Sequence, residues 1–194
     1  MDQHPHDIAS EVAVAAGLIQ DGAYHEAVDW LQELLAEEPN NGLALWELAI
    51  AYSETGRDRE AITALEYMRQ LGYRSPQVLN GIGSLYLKVG EFERAKLSLL
   101  RAYAVDRMNP SIMRNLGLVY SALGRHDRAQ NLLTASYQLD PENPKTVHAL
   151  AEYFLERGDH QLALPWIRTL LENDVPQDLR EDAQAWLPRA QLGW

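Results

Sequence analysis

The sequence predicts an all-α solenoid of five helix-turn-helix repeats closed by a C-terminal capping helix. Three columns in 34-residue register carry that reading: glycine at Gly22, Gly56, Gly90, Gly124 and Gly158, alanine at Ala27, Ala61, Ala95, Ala129 and Ala163, and a large residue at Leu18, Tyr52, Tyr86, Tyr120 and Phe154. Each glycine falls between two stretches of helical period, so each unit reads as two helices joined by a turn. Glycine suits such a turn because it leaves a helix with positive φ at no steric cost.

Helix starts are marked by a second set of positions. Asp7, Asn41, Ser75, Asn109 and Asn143 carry side chains that cap a helix N-terminus, and Pro76, Pro110 and Pro144 follow three of them, at the first helical position, where a missing N–H is not needed. The spacing predicts helices over 8–20, 24–37, 42–54, 58–71, 76–88, 92–105, 110–122, 126–139, 144–156 and 160–173. The repeats are then 8–41, 42–75, 76–109, 110–143 and 144–177, a solenoid over 8–177. Residues 1–7 are expected to be a disordered tail, and 178–194 a capping helix and C-terminal tail. In the stretch 177–187, Leu179, Ala183, Trp186 and Leu187 alternate with Arg180, Glu181 and Asp182, as an amphipathic closing helix should; Pro188 is expected to end it and Trp194 to be a loose end. Pro165 falls inside the tenth helix, where irregularity is expected. The first helix is apolar nearly all round (Ile8, Val12, Val14, Ala15, Ala16, Leu18, Ile19), leaving a face for a partner or for tolerated exposure of small alanines.

The residues within each unit resemble a known family. The first helices hold Leu45-x-x-Leu48-Ala49-x-x-Tyr52, Leu79-x-x-Ile82-Gly83-x-x-Tyr86, Met113-x-x-Leu116-Gly117-x-x-Tyr120 and Val147-x-x-Leu150-Ala151-x-x-Phe154. The second helices hold Ala61-x3-Leu65, Ala95-x3-Leu99, Ala129-x3-Leu133 and Ala163-x3-Ile167, with Pro39 and Pro141 closing units. This pattern resembles the tetratricopeptide repeat over residues 8–177. The first unit departs from it at Glu11, where the family prefers an aromatic or aliphatic residue. The resemblance implies a right-handed α-α superhelix whose first helices line a concave groove for a peptide or helix.

Composition bounds the chemistry. The chain has 194 residues, 46 % hydrophobic and 23 % charged, with a formal charge of −11, in the range of soluble globular proteins. It contains no cysteine, which removes disulfides, thiolate catalysis and cysteine-ligated metal. Its longest apolar run, Val12 to Ile19, is too short to cross a bilayer, and residues 1–7 contain no Lys or Arg to begin a signal peptide; the expected location is cytoplasmic. Charge is banded. Residues 1–56 hold eleven acids and no Lys or Arg, residues 57–128 hold 12 bases against 7 acids, and residues 129–194 hold 5 against 10. Such a balance argues against nucleic acid and leaves two readings of the acidic surface: simple solvation, or a seat for a basic partner or a second copy's basic middle.

Carried across from the resemblance, the groove would show Val12, Ala16 and Ile19, then Trp46, Ile50 and Ser53, then Asn80, Ser84 and Leu87, then Arg114, Leu118 and Ser121, then Lys145, His148, Glu152 and Leu155. One end is apolar and the other charged, which suits a ligand with an apolar anchor, Trp46 as hot spot, and Arg114 and Lys145 fixing orientation. Some relatives clamp a terminal carboxylate; here only Asn80, Asn115, Arg114 and Lys145 resemble that arrangement. Others act as chaperones or self-assembling scaffolds, and the apolar half fits either. Of the six histidines (His4, His6, His25, His126, His148, His160), no two stand at i, i+4 around a glutamate as a helical zinc site requires. His148 beside Glu152 could form a general-base pair, but no nucleophile, phosphate loop or metal cluster accompanies it. The reading is a non-catalytic adaptor or chaperone without cofactor or metal. It binds a protein or peptide segment, with a homo-oligomeric scaffold joined through the N-terminal helix as the alternative, and involves neither nucleic acid nor membrane insertion.

Overall fold

A computed structural model describes residues 8–192; the expectations for 1–7, His4, His6, Asp7 and Trp194 lie outside the described residues. Among the described residues the chain forms eleven helices and no strand: α1 (Ile8–Gln20), α2 (Tyr24–Glu37), α3 (Gly42–Glu54), α4 (Asp58–Gln70), α5 (Pro76–Lys88), α6 (Phe92–Val105), α7 (Pro110–Ala122), α8 (His126–Leu139), α9 (Pro144–Glu156), α10 (His160–Glu172) and α11 (Gln177–Leu192). Contacts divide them into two compact units, the first ending at Glu91 and the second beginning at Phe92. In the first, α1 packs on α2 and α3, α2 on α3, α3 on α4 and α4 on α5. In the second, α6 packs on α7, α7 on α8 and α9, α8 on α9, α9 on α10, and α11 on α9 and α10.

The capping column does what its chemistry allows. Asn41 accepts from Ala44 N–H, Ser75 from Val78, Asn109 from Ser111 and Ile112, and Asn143 from Lys145. The glycine column terminates the first helix of every unit, with φ between +69° and +77°. The residue after each glycine donates its N–H to the carbonyl of the large-residue column: Ala23 to Leu18, Arg57 to Tyr52, Glu91 to Tyr86, Arg125 to Tyr120 and Asp159 to Phe154, at 2.7–2.8 Å. This is the bond that closes a Schellman turn. Two columns seen in the sequence are thus two ends of one hydrogen-bonded motif.

Packing accounts for the alanines. All five are fully buried, because any larger group would hold the paired helices apart. Gly117 shows how tight the fit is: a Cβ there would lie 2.8 Å from Leu133 Cγ. Leu31, Ile82, Leu99, Leu116, Leu133, Leu150 and Ile167 fill the remaining space and are essentially inaccessible.

Two proline expectations need correction. Pro188 does not end the closing helix, which continues to Leu192. Its last turn is held by the fully buried Ala190 and by Arg189, whose Nη2 donates to the Leu155 carbonyl at 3.5 Å; these contacts offset the single backbone bond that an exposed proline removes. Pro165 likewise leaves α10 unbroken.

Candidate functional site

Of the residues expected in the groove, Trp46, Ile50, Ser53 and Ser84 of the first unit line a seam between α3 and α5. Trp46, Ala49, Ile50, Ser53 and Glu54 of α3 face Gly81, Ser84 and Leu85 of α5, with Leu65 of α4 beneath, around a cavity of about 200 Å³. The Trp46 ring lies over Gly81, where a Cβ would stand 3.3 Å from Cζ3 of the indole and 3.1 Å from Leu65 Cδ1. Glycine there leaves the seam open to the ring. Ser84 Oγ turns back to the Gly81 carbonyl at 2.9 Å. Ser53 is drawn into the far end, where Lys88 donates to its carbonyl at 3.0 Å and pairs with Asp58 at 2.7 Å. Asn80 and Leu87 are half-buried. In α1, Val12 is buried as part of the core while Ala16 and Ile19 are half-buried, so Val12 is not on an open surface.

The second unit is organised differently from the simple cationic end read from the sequence. Arg114 is turned toward the loop before α9, with Nη1 3.5 Å from Asn143 Oδ1. Burial lowers its pKa from the usual arginine value, and the Asp140 charge partly offsets this. Its geometry is that of a brace for a helix start as much as a ligand contact. Lys145 is exposed, Leu118 and Ser121 are half-buried and Leu155 is buried. His148 Nε2 lies 2.8 Å from Asp182 Oδ2, and its ring lies 4.6 Å from that of Trp186. Burial raises the Glu152 carboxyl above its ordinary value, opposed by His148 and reinforced by Glu156 and Asp182.

Asp182 and Trp186 lie one period beyond His148 and Glu152. The closing helix therefore adds a further strip to the surface that α9 presents, a contribution the sequence reading left out although extending the 34-residue register would have found it. The strip also occupies His148, so the His148–Glu152 pair is surrounded by Asp182, Glu156 and Trp186. Of the remaining histidines, His25 and His126 are exposed and His160 is half-buried. Among the described residues no group of three or more His, Asp or Glu is placed to hold a metal ion, and no helix is long and apolar enough to cross a membrane.

The paired helices, the glycine turns and the seam between successive first helices define a helical-repeat protein. Models of the tetratricopeptide repeat match residues 18–80 and 120–187, and a second such model matches 80–144. The chain belongs to the tetratricopeptide repeat family, an all-α solenoid fold whose members serve as protein-protein interaction scaffolds. No curated protein matches it. Among solved structures it is similar to TTC0263, a thermophilic tetratricopeptide repeat protein of Thermus thermophilus, with 24 % identity over 95 % of this chain and 99 % of that one and a TM-score of 0.78. It is also similar to MamA, residues 41 to the end, of Desulfovibrio magneticus, with 20 % identity, 87 % and 95 % coverage and a TM-score of 0.72. A third, YrrB, is described as a tetratricopeptide repeat protein with an unusual peptide-binding site; it has 16 % identity, 92 % coverage of both chains and a TM-score of 0.64.

Proposed function

We propose that the protein is a non-catalytic adaptor or chaperone that holds a segment of a partner protein on the face formed by the first helices of its repeats. The observation that carries this reading is the α3–α5 seam, where Trp46 and Ile50 line an apolar cavity of about 200 Å³ opened by Gly81. A large aromatic in a notch is the usual form of a binding hot spot. In the second unit, Arg114, Leu118, Lys145, His148 and Glu152, with Asp182 and Trp186, are the residues offered to a partner protein. The peptide-binding site named for YrrB agrees with this use of the fold. A cytoplasmic location is part of the proposal and is tested by cell fractionation. Trp46→Ala and Ile50→Glu should each abolish capture of the native partner with the helical CD spectrum unchanged; capture at the wild-type level by both would exclude the seam.

Self-association is a second reading. Val14 on α1 is 45 % exposed beside the exposed Ala13, in a first quarter without Lys or Arg, on a chain whose middle is basic. Light scattering at low and high salt decides it: a salt-independent monomer at high concentration removes the homo-oligomeric scaffold.

A further inference from the structure

A larger cavity of about 770 Å³ opens beside the seam, at the N-terminal ends of α3 and α5. Its walls are Leu43 and Trp46 of α3, Met68 of α4, Tyr73 of the following loop and Val78 of α5, and its rim includes Glu38. The cleft depends on an exception to the repeat pattern. At the first helical position, Pro76, Pro110 and Pro144 stand in three repeats, but Gly42 stands in the second. A Cβ on Gly42 would lie 2.6 Å from Cζ of the Tyr73 ring, so the tyrosine occupies the space that any other residue would fill. The corresponding place three repeats later provides an internal control. There Pro144 and Val175 replace Gly42 and Tyr73, and the cavity is about 340 Å³.

The chemistry of the cleft is aromatic and acidic. Leu43 is 66 % exposed and Tyr73 44 %, apolar surface that water covers poorly. The Asn41 and Ser75 side chains are already spent as helix caps, and Asn40 Oδ1 accepts from Tyr67. Glu38, by contrast, has no Lys or Arg from the first 56 residues to pair with, because there is none. Arg74, next in sequence to Tyr73, does not line the cleft. Two aromatic rings and a carboxylate along one cleft are groups that attract an ammonium or guanidinium, and the acidic first quarter of the chain favours the same sign of charge.

We propose that this cleft receives a lysine or arginine flanked by an apolar residue, presented by a partner polypeptide. The cation lies against Trp46 and Tyr73 and near Glu38, and the apolar neighbour covers Leu43 and Met68. The site shares Trp46 with the seam but is otherwise separate, so the two readings fail separately.

Three capped peptides, KLFKLK, ELFELE and KSSKSK, test it by calorimetric titration into the full chain, with the Trp46 indole resonance as a local probe. The expected result is that KLFKLK binds at least about tenfold more tightly than either other peptide and shifts the Trp46 signal. Gly42→Ala, which displaces Tyr73, and Tyr73→Ser should each weaken KLFKLK by about fivefold or more, while Thr63→Ala on the exposed side of α4 leaves it within about twofold. No binding of KLFKLK, equal binding of ELFELE or KSSKSK, or unchanged affinity in both cleft variants would overturn the proposal. Loss in Ile50→Glu alone would assign the peptide to the seam and overturn the cleft while sparing the proposed function.

Discussion

His148 and Asp182 face one another at 2.8 Å across α9 and α11, 34 residues apart in sequence. The contact extends the repeat register past the last full repeat, so the closing helix acts as the first half of a sixth unit. Trp186, one turn further on, lies against the same imidazole. Trp186→Ala should therefore destabilise the second unit by roughly 1–3 kcal/mol, less than for a fully buried tryptophan. Hydrogen exchange should quicken in 177–192 before it does in α7 and α8; uniform exchange across the unit would refute the sixth-strip reading.

Glu152 makes the same region pH-sensitive. Burial holds its carboxyl above the ordinary value, so the folded chain binds that proton more tightly than the unfolded one. Stability is then fully retained below the unfolded value of about 4.3 and lost as pH rises through the folded one. Glu152→Gln, which has nothing to ionise, should be more stable than wild type at pH 7, and the difference should shrink as pH falls toward the unfolded value of about 4.3 and stay level below it. Urea midpoints across that range measure it, and a pH-independent difference would be the contrary result.

A buried hydroxyl pair ties three helices together. Ser136 of α8 donates to the Pro110 carbonyl of α7 at 2.8 Å and lies 3.2 Å from Thr146 Oγ1 of α9, with both hydroxyl residues out of contact with water. Ser136→Ala should cost about 1–3 kcal/mol by leaving its partners unsatisfied. The double change with Thr146→Val should cost less than the two single changes summed, since the second removes a group the first has orphaned. Strict additivity would mean that the pair is not coupled.

The glycines divide by conformation. Gly124, at φ +69°, should lose roughly 1–2 kcal/mol when changed to alanine. Gly17, inside α1 with nothing within 4 Å of an added Cβ, should gain about 0.5–1 kcal/mol. Thermal midpoints moving in the same direction for both would contradict this assignment.

Much of the architecture was legible because it repeats. Every helix boundary lay within one residue of its expected place except at the C-terminal end of α11, where packing of Ala190 outweighed Pro188. The candidate surface was less legible for reasons specific to each residue. Helical spacing assigned Arg114 to the groove column but could not show a long, flexible side chain folding toward Asn143. Val12 shared the column of Trp46 yet became core. The Tyr73–Gly42 contact depends on the path of the loop before α5 and was hinted at only by a glycine where other repeats have proline.

We propose that the face formed by the first helices, and no reactive side chain, does the work. Photo-crosslinking from single positions in cells tests it most directly. A crosslinking amino acid at Ile50 in the seam, compared with one at the exposed Thr63 on α4, should yield a discrete partner adduct from position 50 that disappears with Trp46→Ala. Adducts forming equally from Thr63, or surviving Trp46→Ala unchanged, would contradict the account.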